Sequence, residues 1–279
     1  MSVRLHPILS GEIRLRVMNP RPPRRGAAKL PRTFLRSMFR QAQWYPVPVF
    51  LVEHPSEGAF LIDVGYDPSI EADPTRTLGR LFGTVVMKHR LSERNLPDRV
   101  AATGVDPSQV SRAVMTHLHL DHASGSAQWP RVTFVVDRRE RAAAARRAPG
   151  PYVRTHLATI ERWQEIDYAG PEAESFETFG RTVDLYGDGL VRLIASPGHA
   201  PGHQSVLLQL RDRYALLCGD SAMSTRELQE RLIDGIPLDQ SAYLRSGDEA
   251  RAFMRAHPDT LAIPSHDREL WAQLESSYN

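Results

Sequence analysis

Residues 116–122 constrain this 279-residue chain more than any other part of its sequence. They read THLHLDH and place three histidines and one aspartate directly after a short apolar run that predicts a buried strand. Such a cluster is difficult to pack, because buried imidazoles need polar partners and neighbouring imidazolium groups repel each other. A bound divalent cation removes both problems. We therefore expect a metal site here, with His117 and His119 turned toward one ion and Asp121 and His122 toward a second.

Three further segments place metal-binding side chains after predicted strands. His199 lies in the glycine- and proline-rich run SPGHAPGH at 196–203, Asp220 follows a strand predicted over 214–218, and His266 follows one predicted over 260–264. Together with the first cluster they supply five histidines and two aspartates, enough for two bridged ions. The seven candidate ligands are His117, His119, Asp121, His122, His199, Asp220 and His266.

Hydrophobic periodicity predicts strand pairs followed by helices in both halves of the chain. The predicted strands are 3–17, 49–53, 59–63, 112–115, 132–136, 182–185, 190–195, 205–210, 214–218 and 260–264. The predicted helices are 32–40, 77–88, 95–103, 138–147, 225–232, 247–257 and 268–276. This order favours an α/β fold, an αββα sandwich of two mixed sheets with helices outside. We expect a single domain over residues 1–279, with residues 18–46 as a lid or a dimerisation arm.

Composition narrows the remaining classes of protein. Hydrophobic residues make up 41% of the chain, which suits a globular core, and the single cysteine, Cys218, rules out an internal disulfide framework. No apolar run approaches the roughly 18 residues of a membrane span, so we expect a cytoplasmic protein. The first 40 residues carry ten lysines and arginines against one acid. No aromatic residues interleave these charges in a stripe, which argues against a nucleic-acid partner.

These residues resemble the metallo-β-lactamase superfamily, from about Val47 to Asp267. The HxHxDH segment, the run SPGHAPGHQS at 196–205 and the pairs GD at 219–220 and HD at 266–267 are most similar to its N-acyl-homoserine lactonase branch. The end of the predicted strand 59–63 resembles an early Asp-x-Gly element of that superfamily. The resemblance implies one metal on His117, His119 and His199, a second on Asp121, His122 and His266, and Asp220 as the bridge.

The implied reaction is the opening of a lactone ester by a hydroxide that bridges two divalent ions. Zinc is the expected metal, although iron, manganese or cobalt would suit the same ligands. Asp220 and Asp121 are the expected catalytic carboxylates, and Asp121 is the best placed to carry a proton to the departing oxygen. Glyoxalase II-like thioesterases and phosphoesterases share this core and stay open as alternatives. A non-catalytic binding module is disfavoured, because all seven ligands are present.

One position departs from the lactonase pattern. That branch usually carries a tyrosine three residues after the bridging aspartate, where this chain has Met223, and Tyr45 or Tyr66 are the nearest replacements. Asp63, His203 and Asp267 are expected to orient ligands, order loops or cap a helix rather than to bind metal. The expected substrate is a small ester or lactone. The chain is also a candidate homodimer. Five other histidines are expected at the surface: His6, His54, His89, His156 and His257.

Overall fold

Two mixed β-sheets form the framework of the computed structural model, which describes residues 1–15, 43–73, 88–146, 151–233 and 237–279. In the described residues, the first sheet has the order β4-β1-β2-β3-β5-β6-β7. Its strands are β1 (Arg4–Leu15), β2 (Gln43–His54), β3 (Gly58–Ile62), β4 (Lys88–Leu91), β5 (Arg112–Val114), β6 (Thr133–Asp137) and β7 (Trp163–Ile166). Strands β1 to β4 pair in antiparallel fashion, whereas β3, β5, β6 and β7 run parallel to one another.

The second sheet has the order β13-β12-β11-β10-β9-β8 among the same described residues. Its strands are β8 (Glu174–Phe176), β9 (Phe179–Asp184), β10 (Val191–Ala195), β11 (Gln204–Gln209), β12 (Tyr214–Gly219) and β13 (Leu261–Pro264). Neighbouring strands are antiparallel except for β12 and β13, which are parallel.

Short helices cover the outer faces. The α-helices are α1 (Ser69–Ala72), α2 (Leu96–Ala101), α3 (Leu120–Ala123), α4 (Arg138–Ala145), α5 (Arg154–Leu157), α6 (Thr225–Glu230), α7 (Gln240–Ala256) and α8 (Arg268–Trp271). Aspartate caps begin several of them: the side chains of Asp137, Asp239 and Asp267 accept backbone N–H bonds at the starts of α4, α7 and α8. Within the described ranges, no helix is both long and apolar enough to cross a bilayer.

Three apolar layers hold the sheets and helices together. The central layer joins both sheets face to face, with Phe60 and Val135 from the first sheet packed among residues such as Leu217 from the second. A second layer packs α2 and α4 on the outside of the first sheet, and a third packs α6 and α7 on the outside of the second. The expected αββα sandwich is therefore confirmed.

Gln204 ties the two sheets together beside the histidine cluster. Its backbone N–H donates to the carbonyl oxygen of Thr116 and its side-chain amide donates to that of Met115, both at 2.8 Å. The hydroxyl of Tyr168 donates to its amide oxygen at 2.8 Å. Since Gln204 begins β11 and Met115 follows β5, this buried side chain fixes the end of one sheet against the other.

Several element boundaries differ from the sequence predictions. Lys88, predicted at the end of a helix, begins β4 instead, while the rest of that predicted helix and the one over 32–40 lie outside the described residues. Helix α7 begins at Gln240 rather than at 247, because Asp239 provides an N-cap that hydropathy does not reveal. Helix α8 ends at Trp271. Residues 18–42 of the expected lid or dimerisation arm also lie outside the described residues, and 43–46 begin β2.

Candidate metal centre

Every predicted metal-binding segment lies at the carboxyl end of a strand, as expected. The loop after β5 carries His117 and His119 and leads into α3, and the loop after β10 carries His199. Asp220 directly follows β12, and His266 follows β13. The structure therefore brings the candidate ligands from four separate strands to one edge of the sandwich.

A first group consists of His117, His119 and His199. One ring nitrogen from each lies within 4.8 Å of the others, close enough to share a single cation. The Nδ1 atom of His119 is 2.9 Å from the Nε2 atom of His199. His117 is fully buried, whereas His119 and His199 are partly exposed.

A second group consists of Asp121, His122 and His266, all buried. The Oδ2 atom of Asp121 lies 3.5 Å from Nε2 of His266 and 3.8 Å from Nε2 of His122. The ring nitrogens of the two histidines thus converge on the carboxylate from different loops. This arrangement also has the donors for one divalent cation.

Asp220 lies between the two groups and turns one oxygen toward each. Its Oδ2 atom is 3.2 Å from Nε2 of His199 and 3.8 Å from Nε2 of His117. Its Oδ1 atom is 3.2 Å from Nε2 of His122 and 3.4 Å from Nε2 of His266. A carboxylate in this position has the geometry of a bridge between two cations.

The cluster fits metal ions better than it fits a closed hydrogen-bond network. Among the described residues, Nε2 of His117, Nε2 of His122 and Oδ1 of Asp220 are buried without a regular hydrogen-bond partner. Buried polar atoms of this kind are costly in a folded protein unless a ligand satisfies them. Imidazole and carboxylate are the donor types that zinc and related divalent ions bind.

Electrostatics differ between the two groups: against the effect of burial, the facing carboxylates, Asp220 foremost, raise the pKa of both histidines in the second group. Burial lowers the pKa of His117, His119 and His199, so these rings are neutral at pH 7 and have a nitrogen lone pair to offer. Burial alone would raise the pKa of Asp220, but the facing histidines, His122 foremost, hold that pKa well below its usual range.

Asp63 is hydrogen-bonded to His122. Its Oδ2 atom accepts a hydrogen bond from Nδ1 of His122 at 2.7 Å, and its two oxygens accept bonds from the backbone N–H and hydroxyl of Thr116, both at 2.8 Å. Asp63 has a φ of 59°, in the left-handed region that non-glycine residues seldom adopt. Backbone strain of this kind concentrates at functional sites. The role of Asp63 in orienting His122 stays a prediction, and these hydrogen bonds support it.

His203 lies behind Asp220 and belongs to neither group. Its Nε2 atom accepts the backbone N–H of Asp220 at 2.9 Å, and its Nδ1 atom donates to Oγ of Ser196 at 2.8 Å. Burial lowers the pKa of His203 to about 3, which keeps the ring neutral for these two bonds. Gly219 has a φ of 55°, and a Cβ there would lie 2.6 Å from His203 Nε2, so glycine is required for this contact.

Two other orienting contacts involve the last strand end. The Nδ1 atom of His266 donates to the carbonyl oxygen of Pro46 at 2.8 Å, which turns Nε2 toward the cluster. Asp267 accepts N–H bonds from Glu269 and Leu270 as the cap of α8, and another from Thr225. Asp267 thereby connects the loop after Asp220 to the loop that carries His266.

The three candidate pocket residues occupy different positions. Tyr66 is buried, and burial together with the negative charges of Asp121 and Asp220 raises its pKa well above the usual range, so its ring lies within electrostatic reach of the cluster. Tyr45 is partly buried and packs against the same apolar group as Tyr66. Met223 is buried, and its backbone N–H donates to Oε2 of Glu227 at 2.7 Å.

The loop that carries His199 is pressed against two helices through its glycines. A Cβ on Gly198 would lie 2.3 Å from the backbone nitrogen of Tyr243 in α7, and Gly198 has a φ of 139°. A Cβ on Gly202 would lie 2.3 Å from the backbone nitrogen of Glu140 in α4. Both positions therefore require glycine, and the loop has almost no freedom to move toward either helix.

Three residues that contact the cluster are absent from the sequence predictions, and three histidines predicted at the surface are buried. Thr116, Glu140 and Tyr152 were not singled out, although each contacts the ligand loops; only the threonine, which precedes the HxHxDH segment, carried a local signal. The surface prediction was wrong for three histidines that are buried: His6, His54 and His156. His6 is hydrogen-bonded to Glu53 and His156 to Ser69, while Nε2 of His54 lies 3.1 Å from Oδ2 of Asp188.

Comparison with known proteins identifies the family of this chain. Residues 42–266 match the family model described as the metallo-beta-lactamase superfamily. A relative named N-acyl homoserine lactonase AttM, from Agrobacterium fabrum strain C58, is 31% identical over 240 residues, which cover 83% of this chain and 86% of the relative. The chain therefore belongs to the metallo-beta-lactamase superfamily.

Solved structures share the fold at lower identity. An N-acyl homoserine lactone hydrolase with N-hexanoyl-L-homoserine bound at its catalytic metal centre has a TM-score of 0.77 and 20% identity, over 99% of this chain and 98% of that one. AidC, described as a dizinc quorum-quenching lactonase, has a TM-score of 0.63 and 16% identity, over 95% of this chain and 88% of that one. At these identities the likeness shows the fold.

Proposed function

We propose that this protein is a dinuclear metal-dependent hydrolase that opens the ester ring of N-acyl-homoserine lactones. The observation that carries the proposal is the position of Asp220, whose two oxygens face two separate groups of ligand side chains. The relatives named as lactonases support the choice of a lactone among esters. A cytoplasmic location, a single domain and a homodimer stay predictions from the sequence.

The proposed metal ligands follow the two observed groups. His117, His119 and His199 would hold one ion, Asp121, His122 and His266 would hold the other, and Asp220 would bridge them. Zinc is the proposed metal, because histidine and aspartate suit it and a fold neighbour is described as dizinc. Bound there, two divalent ions would lower the pKa of a water to about 7 and polarise the carbonyl of an ester.

The residues of the chain then have distinct tasks in the hydrolysis. A water oxygen adds to the carbonyl carbon of the lactone, the ring C–O bond breaks, and the products are a carboxylic acid and an alcohol. Asp121 carries the proton of that water to the departing ring oxygen, because its side chain is only slightly exposed and lies beside His266 at the edge of the second group. The hydrogen bond between His122 and Asp63 is kept throughout and fixes the direction of the proton transfer by Asp121.

The side chain of Met223 has no hydroxyl to donate to the lactone carbonyl. If the substrate is an acyl-homoserine lactone, another residue must supply this hydrogen bond. We propose that Tyr66 supplies the phenol that the lactonase branch usually takes from the position of Met223. Its ring is buried, and the negative charges of Asp121 and Asp220 act on its phenol. If no phenol reaches the lactone carbonyl, another ester is the better substrate. The absence of this donor would then favour the thioesterase and phosphoesterase alternatives.

A substrate panel on purified protein of measured metal content tests the proposal. The substrates are N-hexanoyl-homoserine lactone, a glutathione thioester, a phosphodiester, a phosphotriester and a β-lactam. We expect about two divalent ions per chain and the highest kcat/KM on the lactone. Asp220→Ala should abolish turnover, and His257→Ala, at the end of α7, serves as the control. A thioester or phosphoester kcat/KM far above that of the lactone would refute the lactonase assignment.

A further inference from the structure

Glu140 is a fully buried acid that the proposed reaction does not use. It lies in the first turn of α4, within a run of arginines and alanines. Its Oε1 atom accepts the backbone N–H of Leu118 at 3.1 Å, and its Oε2 atom accepts the backbone N–H of Gly202 at 3.1 Å. Each oxygen of one carboxylate thus holds a different loop.

The two amides belong to the two loops that build the first ligand group. Leu118 lies between His117 and His119, and Gly202 lies three residues after His199. The facing ring nitrogens of His119 and His199 are 2.9 Å apart, although the two residues are 80 positions apart in sequence. The carboxylate of Glu140 therefore connects the backbones whose side chains must converge.

Two further contacts make this connection rigid. The glycine at 202 lets its loop lie directly on α4, since a Cβ there would be 2.7 Å from Cβ of Glu140. The phenol of Tyr152 is hydrogen-bonded to the Glu140 carboxylate, and its ring packs edge-on against His119 with 5.1 Å between centroids. Burial raises the pKa of Glu140, and the bonds from Leu118, Gly202 and Tyr152 lower it in part. These donors identify the carboxylate as an acceptor for loop amides.

We propose that Glu140 is a positioning residue that sets the metal affinity of the group His117, His119 and His199. It acts by holding the Leu118 and Gly202 backbones in one geometry. The group Asp121, His122 and His266 is oriented by other partners, Asp63 and Pro46, and so depends on Glu140 far less. The inference rests on the proposed assignment of ligands to two ions.

Glu140→Gln is the variant that tests this role. Its amide has the shape of the carboxylate but only one acceptor oxygen, so one loop N–H would face an NH2 group and lose its bond. Zinc dissociation constants are measured on chelator-stripped protein by competition with a chromophoric chelator, without substrate. We expect one of the two constants to weaken by about 10–100-fold, as for other residues that orient metal ligands. The other constant should stay within about threefold of the wild type.

A double-mutant cycle assigns the weakened ion to its group. Adding Glu140→Gln to His199→Ala should cost little further affinity for the remaining ion, that of the second group. Adding it to His266→Ala should weaken the binding of the remaining ion, that of the first group. Asp184→Asn is the matched control, because Asp184 also accepts loop amides, those of Tyr186, Gly187 and Gly189, at the far end of β9. Asp184→Asn should leave both zinc constants unchanged.

Two outcomes would overturn the inference. Unchanged zinc constants in Glu140→Gln would remove the positioning role, and an equal loss at both ions would reduce Glu140 to general support of the fold. Tyr152→Phe, which keeps the carboxylate of Glu140, is measured in parallel. If Glu140→Gln does not fold, Tyr152→Phe should still weaken one zinc constant alone, and unchanged constants in it would also overturn the inference. Wild-type protein that binds two zinc ions but hydrolyses no lactone would refute the proposed function and leave this inference standing.

Discussion

Asp63 accepts a hydrogen bond from Nδ1 of His122 across 2.7 Å, from a backbone held at a φ of 59°. Asp63→Asn should keep the fold, because asparagine tolerates the left-handed region, but the amide cannot match the charged acceptor. We expect zinc affinity to fall by about 10–100-fold, measured by chelator competition, with the unfolding midpoint of the metal-free protein little changed.

Glu177 offers a control for the unusual backbone at Asp63. It also has a positive φ, of 50°, but lies in the turn between β8 and β9, away from the cluster. Glu177→Asn should leave zinc affinity unchanged. Equal zinc affinity in Asp63→Asn and in the wild type would show that the bond to His122 has no part in metal binding.

His199→Ala tests the composition of the first ligand group. The variant removes one of three nitrogens that lie within 4.8 Å of one another, so the ion of this group should be lost on dialysis. We expect about one zinc per chain, by atomic emission, and a kcat/KM at least about 100-fold lower, since loss of an orienting residue alone has an effect of that size. His257→Ala should retain both ions. Full zinc content in His199→Ala would exclude this group as a metal site.

Tyr66→Phe tests the proposed phenol donor. Loss of one hydrogen-bond donor to a developing oxyanion costs roughly 10²–10³ in rate in other enzymes, so we expect a drop of that order in kcat on N-hexanoyl-homoserine lactone, with zinc content unchanged. Tyr45→Phe is the matched control and should behave as the wild type. Adding Met223→Tyr to Tyr66→Phe should restore part of the activity. An unaltered kcat in Tyr66→Phe would assign the donor elsewhere.

Asp248 supplies a pH prediction far from the metal centre. Hydrogen bonds from Arg231, and then from Arg251, lower the pKa of Asp248 to about 2. Because the folded-state pKa lies below the unfolded value near 3.9, the stabilisation is present above about pH 4 and is lost as the pH falls toward 2. The side chain is 44% exposed, so we expect less than about 1 kcal/mol.

Urea unfolding of metal-free wild type and Asp248→Asn measures this contribution. The difference in unfolding free energy should be the same at pH 7 and pH 5 and should shrink only below about pH 4. A difference that disappears already at pH 5 would contradict the assignment of the low pKa to Asp248.

The positions of the ligands could be predicted because each ligand lies close in sequence to the end of a predicted strand. His117, His199, Asp220 and His266 each follow a strand of three to six residues by a short distance, and strands that run in the same direction bring such ends together. The residue types themselves exclude ordinary packing. The sequence therefore contained both the donors and the reason for their convergence.

The support of the cluster could not be predicted in the same way. Glu140 lies in the run RRERAAAA, which has the composition of a solvated helix, and its burial is made favourable by the N–H groups of Leu118 and Gly202, which are distant in sequence. His6, His54 and His156 were misplaced for a related reason: each is buried by a polar partner distant in sequence or by a turn, and hydropathy registers neither. Such contacts depend on tertiary structure alone.

The contacts of Gly198 and Gly202 with the backbones of α7 and α4 also restrict how this enzyme can diversify. Any side chain at either position would have to displace a helix, so random mutagenesis of positions 198 and 202 should return mostly inactive clones. Changes of substrate preference must then accumulate in segments with free volume around them. We therefore expect variants with altered substrate preference to keep both glycines and to differ in the walls of the pocket.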